Sequence, residues 1–189
     1  MPKTLDVLTI CGSLRKGSFN GMVQRLLPQL APEGMALKAA PPFDAFPIYN
    51  ADNQTSSGIP ASVTALADAI RAADGVIIVS PEYNFSIPGG LKNAIDWLSR
   101  VKEQPFAGKP IAIQSASAGP VGGARMQYDL RKSLGGLDAL FLGKPEIFIG
   151  NAPSKFDENT GELKDEATRG FLKAQLAAFA KFIERVGKA

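Results

Sequence analysis

Two short apolar runs, Val7 to Cys11 and Val76 to Ser80, each open directly into a glycine-punctuated segment: Gly12-Ser-Leu-Arg-Lys-Gly-Ser-Phe-Asn20 after the first, and Pro81-Glu-Tyr-Asn-Phe-Ser-Ile-Pro-Gly-Gly90 after the second. Short runs rich in Val, Ile and Leu are strands covered on both faces, and parallel strands need a helical crossover to connect them. The chain supplies those crossovers. Met22, Val23, Leu26, Leu27 and Leu30 share one helical face, as do Val63, Leu66, Ala67 and Ile70, and then Leu91, Ala94, Ile95 and Leu98.

The alternation predicts strands at Leu5 to Cys11, Met35 to Ala39, Gly75 to Ser80, Pro110 to Ser115 and Glu146 to Ile149. It also predicts a helix from Ala124 to Leu134 and a C-terminal helical stripe through Phe171, Leu172, Leu176, Phe179, Ile183 and Val186. Lys38 marks the second strand as an edge. The expected architecture is α/β: a doubly wound, five-stranded parallel sheet in the order 2-1-3-4-5 with helices on both faces, in a single domain spanning 1–189. Pro41 to Pro60, rich in Pro, Asn, Ser and Gly and without a period, reads as a long surface loop.

Composition narrows the chemistry. Histidine is absent and Cys11 is the only cysteine, which excludes intrachain disulfides, imidazole or thiolate zinc sites and any histidine base, including one for Ser117. Cys11 ends an apolar strand, as a buried inert thiol does. The net charge of +3 comes from scattered Lys and Arg with no basic run, which argues against nucleic acid and is compatible with small anions. No apolar run reaches the roughly 20 residues of a membrane span, and the first residues lack a signal-peptide core, so a cytoplasmic protein is expected. Asp157 to Gly161 starts like a calcium loop, but Glu162 and Thr168 occupy positions that need glycine and glutamate.

Loops at the carboxyl ends of parallel strands face the crevice where ligands bind. The first supplies Ser13, Arg15, Ser18 and Asn20, with Ser18 placed to cap a helix from Phe19; backbone N–H groups, hydroxyls, the helix dipole and a guanidinium suit a phosphate monoester. Gly12 and Gly17 have Walker spacing, but Ser18 stands where that motif needs lysine. In the second loop Tyr83 and Phe85 offer an aromatic wall, and Asn84 with the amides of Glu82 to Asn84 offers donors to the edge of a planar ring. A third small-residue loop, Ser115 to Gly123, brings Ser115, Ser117 and the Gly119 amide toward the same ring. The second and third loops alone are equally readable as ordinary turns; for the first, the turn reading is the weaker one. A phosphate cradle and an aromatic loop in one chain point to FMN.

These residues resemble the NADPH-dependent FMN reductase family of flavodoxin-like proteins, especially its bacterial quinone and chromate reductases; the carriers are Gly12 to Asn20 and the longer run Pro81 to Arg100. The resemblance implies that Ser13, Arg15, Ser18, Phe19 and Asn20 hold the phosphate and ribityl end, that Pro81, Glu82, Tyr83 and Asn84 line the isoalloxazine, and that Ser115 and Gly119 contribute from the third loop. It implies NADPH or NADH as hydride donor to flavin N5, with a quinone or a metal oxyanion such as chromate then taking the same face. A homodimer or homotetramer is also implied. Arg100 is a candidate for attracting an anionic acceptor or the nucleotide's phosphates. The rival readings are an FMN electron carrier served by a partner reductase, and a flavin-free adaptor on the same fold.

Overall fold

The computed structural model describes residues 4–187. Its spine is a parallel sheet of β1 (Leu5–Cys11), β2 (Met35–Ala39), β3 (Gly75–Val79), β4 (Pro110–Ala116), β5 (Leu140–Phe141) and β6 (Ile147–Ile149), in the order β2-β1-β3-β4-β5 with β6 also paired to β4. Alternation along each strand divides the core in two. Val7, Ile77, Val79, Ala112 and Ala116 face α1 (Phe19–Leu30) and α7 (Glu166–Val186), while Leu8, Ile10, Val76, Ile78, Ile111 and Ile113 face the helices on the other side. Those helices are α3 (Ala61–Ala72), α4 (Gly89–Leu98) and α5 (Ala124–Gly135). β2 is the edge strand, its Lys38 Nζ 3.2 Å from Asp6 Oδ1.

The order 2-1-3-4-5 holds, but the fifth position is split. Ile111 pairs with Phe141 and Gln114 with Ile147, so Ala112 and Ile113 face the five residues Leu142 to Glu146. A bulge of this size leaves backbone groups without a ladder partner, and buried side chains take over. Gln175 Nε2 on α7 donates to Pro145 O (2.8 Å) and Ile113 O (3.3 Å), and Gln114 Nε2 donates to Gln175 Oε1 (2.9 Å). From the opposite face, Gln127 Nε2 reaches Ile147 O (2.7 Å) and an Arg131 Nη2 reaches Leu142 O (3.2 Å). Only the Ile147–Ile149 half carried a legible strand pattern, because Leu140–Phe141 is two residues long.

The segment 41–60 departs from the expected irregular loop. Phe43 and Phe46 are buried, Pro47 O accepts hydrogen bonds from Trp97 Nε1 (2.7 Å) and Asn93 Nδ2 (2.9 Å), and α2 (Ala51–Ser57) follows. Asn50 caps that helix through Asp52 N (2.8 Å), and Gly58 ends it at φ 78°. None of its residues is buried, so it has no apolar face to produce a period. α6 (Ala152–Lys155) leads into a turn closed by the Phe156–Leu163 bridge, and Phe156 sits 5.9 Å, ring to ring, from Phe19 at the start of α1.

Gln175→Leu should cost about 1–3 kcal/mol in urea unfolding, since it takes the partner from the Ile113 and Pro145 carbonyls and from the Gln114 amide without opening a cavity. In the turn bracing α1, the Lys164 ammonium 2.9 Å away and the N–H groups of Thr160 and Asn159 hold the Asp157 carboxyl at about 2. Because the folded state favours the ionised form, the stability this contributes is present above 3.8 and is lost as pH falls through the folded value. NMR titration should place Asp157 at about 2 and, in Lys164→Ala, return it toward 3.8.

Candidate functional site

β1, β3 and β4 are neighbours in the sheet, so the loops leaving their carboxyl ends lie side by side at the β1/β3 junction, where the strand order reverses direction. Gly12 N continues the ladder to Val79 O at 2.8 Å. A Cβ at Gly12 would sit 2.2 Å from Ser80 Oγ, so only glycine lets the first loop lie this close to the end of β3.

In the first loop Ser18 is the N-cap of α1: its backbone is extended (φ −77°, ψ 143°) and its Oγ accepts from Gly21 N at 3.0 Å. Ser13 Oγ accepts from Arg15 N at 3.4 Å. Among the described residues the N–H groups of Gly17, Phe19 and Asn20 donate to no other protein group, and Arg15 and Lys16 are exposed without a carboxylate partner. Unpaired N–H groups at a helix start, flanked by two cations, are what a phosphate requires. Two side chains expected there have other work. Phe19 is buried against Phe156, and Asn20 is 2% exposed, its Oδ1 accepting from Ala116 N and its Nδ2 donating to Ala116 O, both at 2.9 Å. Both face the cradle through their backbone only. Burial raises the Cys11 thiol's pKa, so it stays protonated at neutral pH.

The second loop is a tight hairpin. Tyr83 N donates to Ser86 O and Ser86 N to Tyr83 O, each at 3.0 Å, and the two residues between, Asn84 (φ 49°) and Phe85 (φ 68°), are both left-handed. Asn84 tolerates that conformation; Phe85 pays about 1–2 kcal/mol for it. Its ring is 67% exposed and lies 3.8 Å beneath the Arg125 guanidinium, a contact worth about 0.5–2 kcal/mol that offsets the strain. Tyr83 is also exposed, and Pro81 is buried beneath the turn.

Glu82 turns away from the crevice and serves α5. That helix begins at Gly123, which has no side chain to cap it. The Glu82 carboxylate takes the place, accepting from Arg125 N (3.1 Å), Met126 N (3.3 Å) and Arg125 Nε (2.6 Å). Arg125, missed in the sequence, therefore links the second loop to the third; nothing in an isolated helix-opening arginine signals a partner 43 positions away. The third loop also departs from expectation. Ser115 is fully buried, donating to Gly122 O (2.5 Å) and accepting from Gln127 Nε2 (2.7 Å), so its hydroxyl shapes the loop from inside. Gly119 is exposed, its carbonyl accepting from Asn151 N and Ser117 Oγ at 3.0 Å, and among the described residues its N–H donates to no other protein group.

Arg100 does not join this group. It follows α4, whose N-terminus lies at the second loop and whose ten residues carry the chain about 15 Å away. There its guanidinium lies 5.2 Å from the Tyr49 ring, which itself meets Trp97 edge-on. Sequence adjacency to the second loop suggested proximity, and helix length removed it.

A doubly wound parallel sheet whose first loop presents unpaired N–H groups beside an aromatic hairpin defines a flavodoxin-like protein. Residues 5–154 match the NADPH-dependent FMN reductase family, and the chain belongs to that family. It is 56% identical over 186 residues to a quinone reductase of Escherichia coli (strain K12), covering 98% of this chain and 99% of that protein. It is 44% identical to an NAD(P)H-dependent FMN reductase of Pseudomonas aeruginosa, over 98% and 99% of the two chains. Among solved structures it is similar to FerB, an NAD(P)H:(acceptor) oxidoreductase from Paracoccus denitrificans, with a TM-score of 0.85, 34% identity and 96% and 98% coverage.

Glu82→Ala should lower stability by about 1–2 kcal/mol through the lost α5 cap and weaken FMN binding several-fold by loosening both loops. Arg125→Ala, which keeps the two backbone N–H bonds to Glu82, should cost less in the same urea and fluorescence titrations.

Proposed function

We propose that this single domain is an NAD(P)H-dependent FMN oxidoreductase that delivers two electrons to quinones. The observation that carries this reading is the unpaired N–H start of α1 set beside the strained Tyr83–Ser86 hairpin across one strand junction. Family membership and the names of the relatives support the cofactor and the acceptor class.

Ser13, Arg15, Ser18 and the N–H groups of Phe19 and Asn20 hold the phosphate and ribityl end. Pro81, Tyr83 and the backbone of Glu82 and Asn84 line the ring, and the Gly119 N–H approaches it from the third loop. Bound FMN supplies the redox chemistry, two-electron transfer from a nicotinamide to a quinone. The chain's task is to fix orientation and to direct donors at the ligand edge where negative charge accumulates. Reducing a quinone to a quinol takes two electrons and two protons: the nicotinamide hydride accounts for both electrons and one proton, and solvent at the open face supplies the other, so no histidine relay is needed. The exposed aromatic edge of Tyr83 and Phe85 leaves one face open to planar partners in alternation, the arrangement a ping-pong cycle uses. The same open face accepts metal oxyanions such as chromate as secondary oxidants. The enzyme works in the cytoplasm as a homodimer or homotetramer, a reading supported by family resemblance; among the described residues no helix is long and apolar enough to cross a membrane.

Anaerobic stopped-flow mixing of the FMN-loaded protein with NADPH or NADH should bleach the flavin within seconds, and a quinone added afterwards should restore the colour at a rate independent of remaining nucleotide. Protein that binds FMN but stays yellow with both nucleotides would be a carrier, and the proposal would fail.

A further inference from the structure

Arg25 stands on α1 beyond the first turn, exposed, and among the described residues it enters no ion pair or side-chain hydrogen bond. It lines a groove with Glu162 and Arg169, yet Arg169 pairs with Glu166 and Arg25 does not reach Glu162. Long helical side chains lean back over the turn preceding them, and this one does so along Gly21. Arg25 Nη1 lies 3.1 Å from the point where a Cβ on Gly21 would stand, and Ser18 Oγ lies 3.1 Å from the same point. The guanidinium and the capping hydroxyl thus meet over Gly21, so closely that a Cβ there would crowd both. The Cys11 thiol at the end of β1 feels the positive charge of Arg25 as well.

The first turn of α1 carries no acidic residue, and among the described residues neither Arg15 in the loop nor Arg25 on the helix flank has an ion-pair partner. Two unpaired guanidinium groups near one helix start favour an anion between them. We infer that Arg25 is a second guanidinium for the FMN phosphate, approaching from the helix flank while Arg15 approaches from the loop. This rests on the reading that the start of α1 holds the phosphate. A phosphate monoester has close to two negative charges and three terminal oxygens; the helix N–H groups and one arginine leave part of both unmet, and a second fork of donors completes them.

The test compares FMN with riboflavin, which has the same ring and no phosphate, by fluorescence quenching on the full chain freed of flavin. Arg25→Ala should weaken FMN about tenfold, leave riboflavin unchanged and make the salt dependence of FMN binding shallower, with Arg25→Lys recovering part of the loss. The flavin-free melting temperature should not move, because Arg25 has no protein partner to lose. Equal weakening of FMN and riboflavin, or no change for either while Ser18→Ala selectively weakens FMN, would overturn the role of Arg25 and leave the cradle standing. Wild-type protein that binds riboflavin as tightly as FMN would overturn the cradle itself, and the inference with it.

Discussion

The two hydrogen bonds between Asn20 and the main chain of Ala116 hold the site together. They run from the first turn of α1 across to the end of β4, passing over β3, and they are buried on all sides. A bidentate amide on both the N–H and the C=O of one residue fixes distance and orientation at once, and in a low-dielectric setting neither half can be given up cheaply. The start of α1 and the strand end from which the third loop departs are therefore one rigid unit. Glu82 does the corresponding work between the second loop and α5. Three loops that are independent in the chain are bound into one wall by two side chains, neither of which points at the ligand.

This explains which parts were legible in the sequence. Strands buried on both faces advertise themselves as unbroken apolar runs, so β1, β3 and β4 and their order could be read directly, and the amphipathic stripes located α1, α3, α4 and α7. The cap at Ser18 was legible because capping is local. Asn20, Glu82 and Ser115 lie on or beside the loops at the carboxyl ends of the strands, but their side chains serve long-range partners at positions 116, 125 and 127, and no local rule distinguishes a polar side chain aimed at a ligand from one aimed at the back of the neighbouring loop. Arg100 shows the opposite limit: proximity along a helix becomes distance in space. Leu140–Phe141 and α2 were hidden because one is too short to show a pattern and the other buries nothing.

The three buried glutamines follow one logic. Gln114, Gln127 and Gln175 lie in the core and each binds backbone or a neighbour that the split fifth strand would otherwise strand. Long neutral amides are suited to this, since they bridge a bulge with two donors and carry no charge to desolvate. The bulge in turn keeps Phe148 to Gly150 at the height where Ser117 N and Asn151 N can close the third loop.

The helix α2 is held chiefly by its flanks, with Pro47 and Tyr49 pinned to α4 on one side and Gly58 turning the chain back on the other; among the described residues, Gln54 alone within the helix accepts a bond from a side chain outside it, from Tyr49 Oη. Anchored ends with so little committed between them make a tolerant segment: substitutions of the exposed residues other than Gln54 exact almost no folding penalty. This stretch can therefore change while the loops tied together by Asn20 and Glu82 keep their geometry, which separates a tolerant part of the molecule from a constrained one.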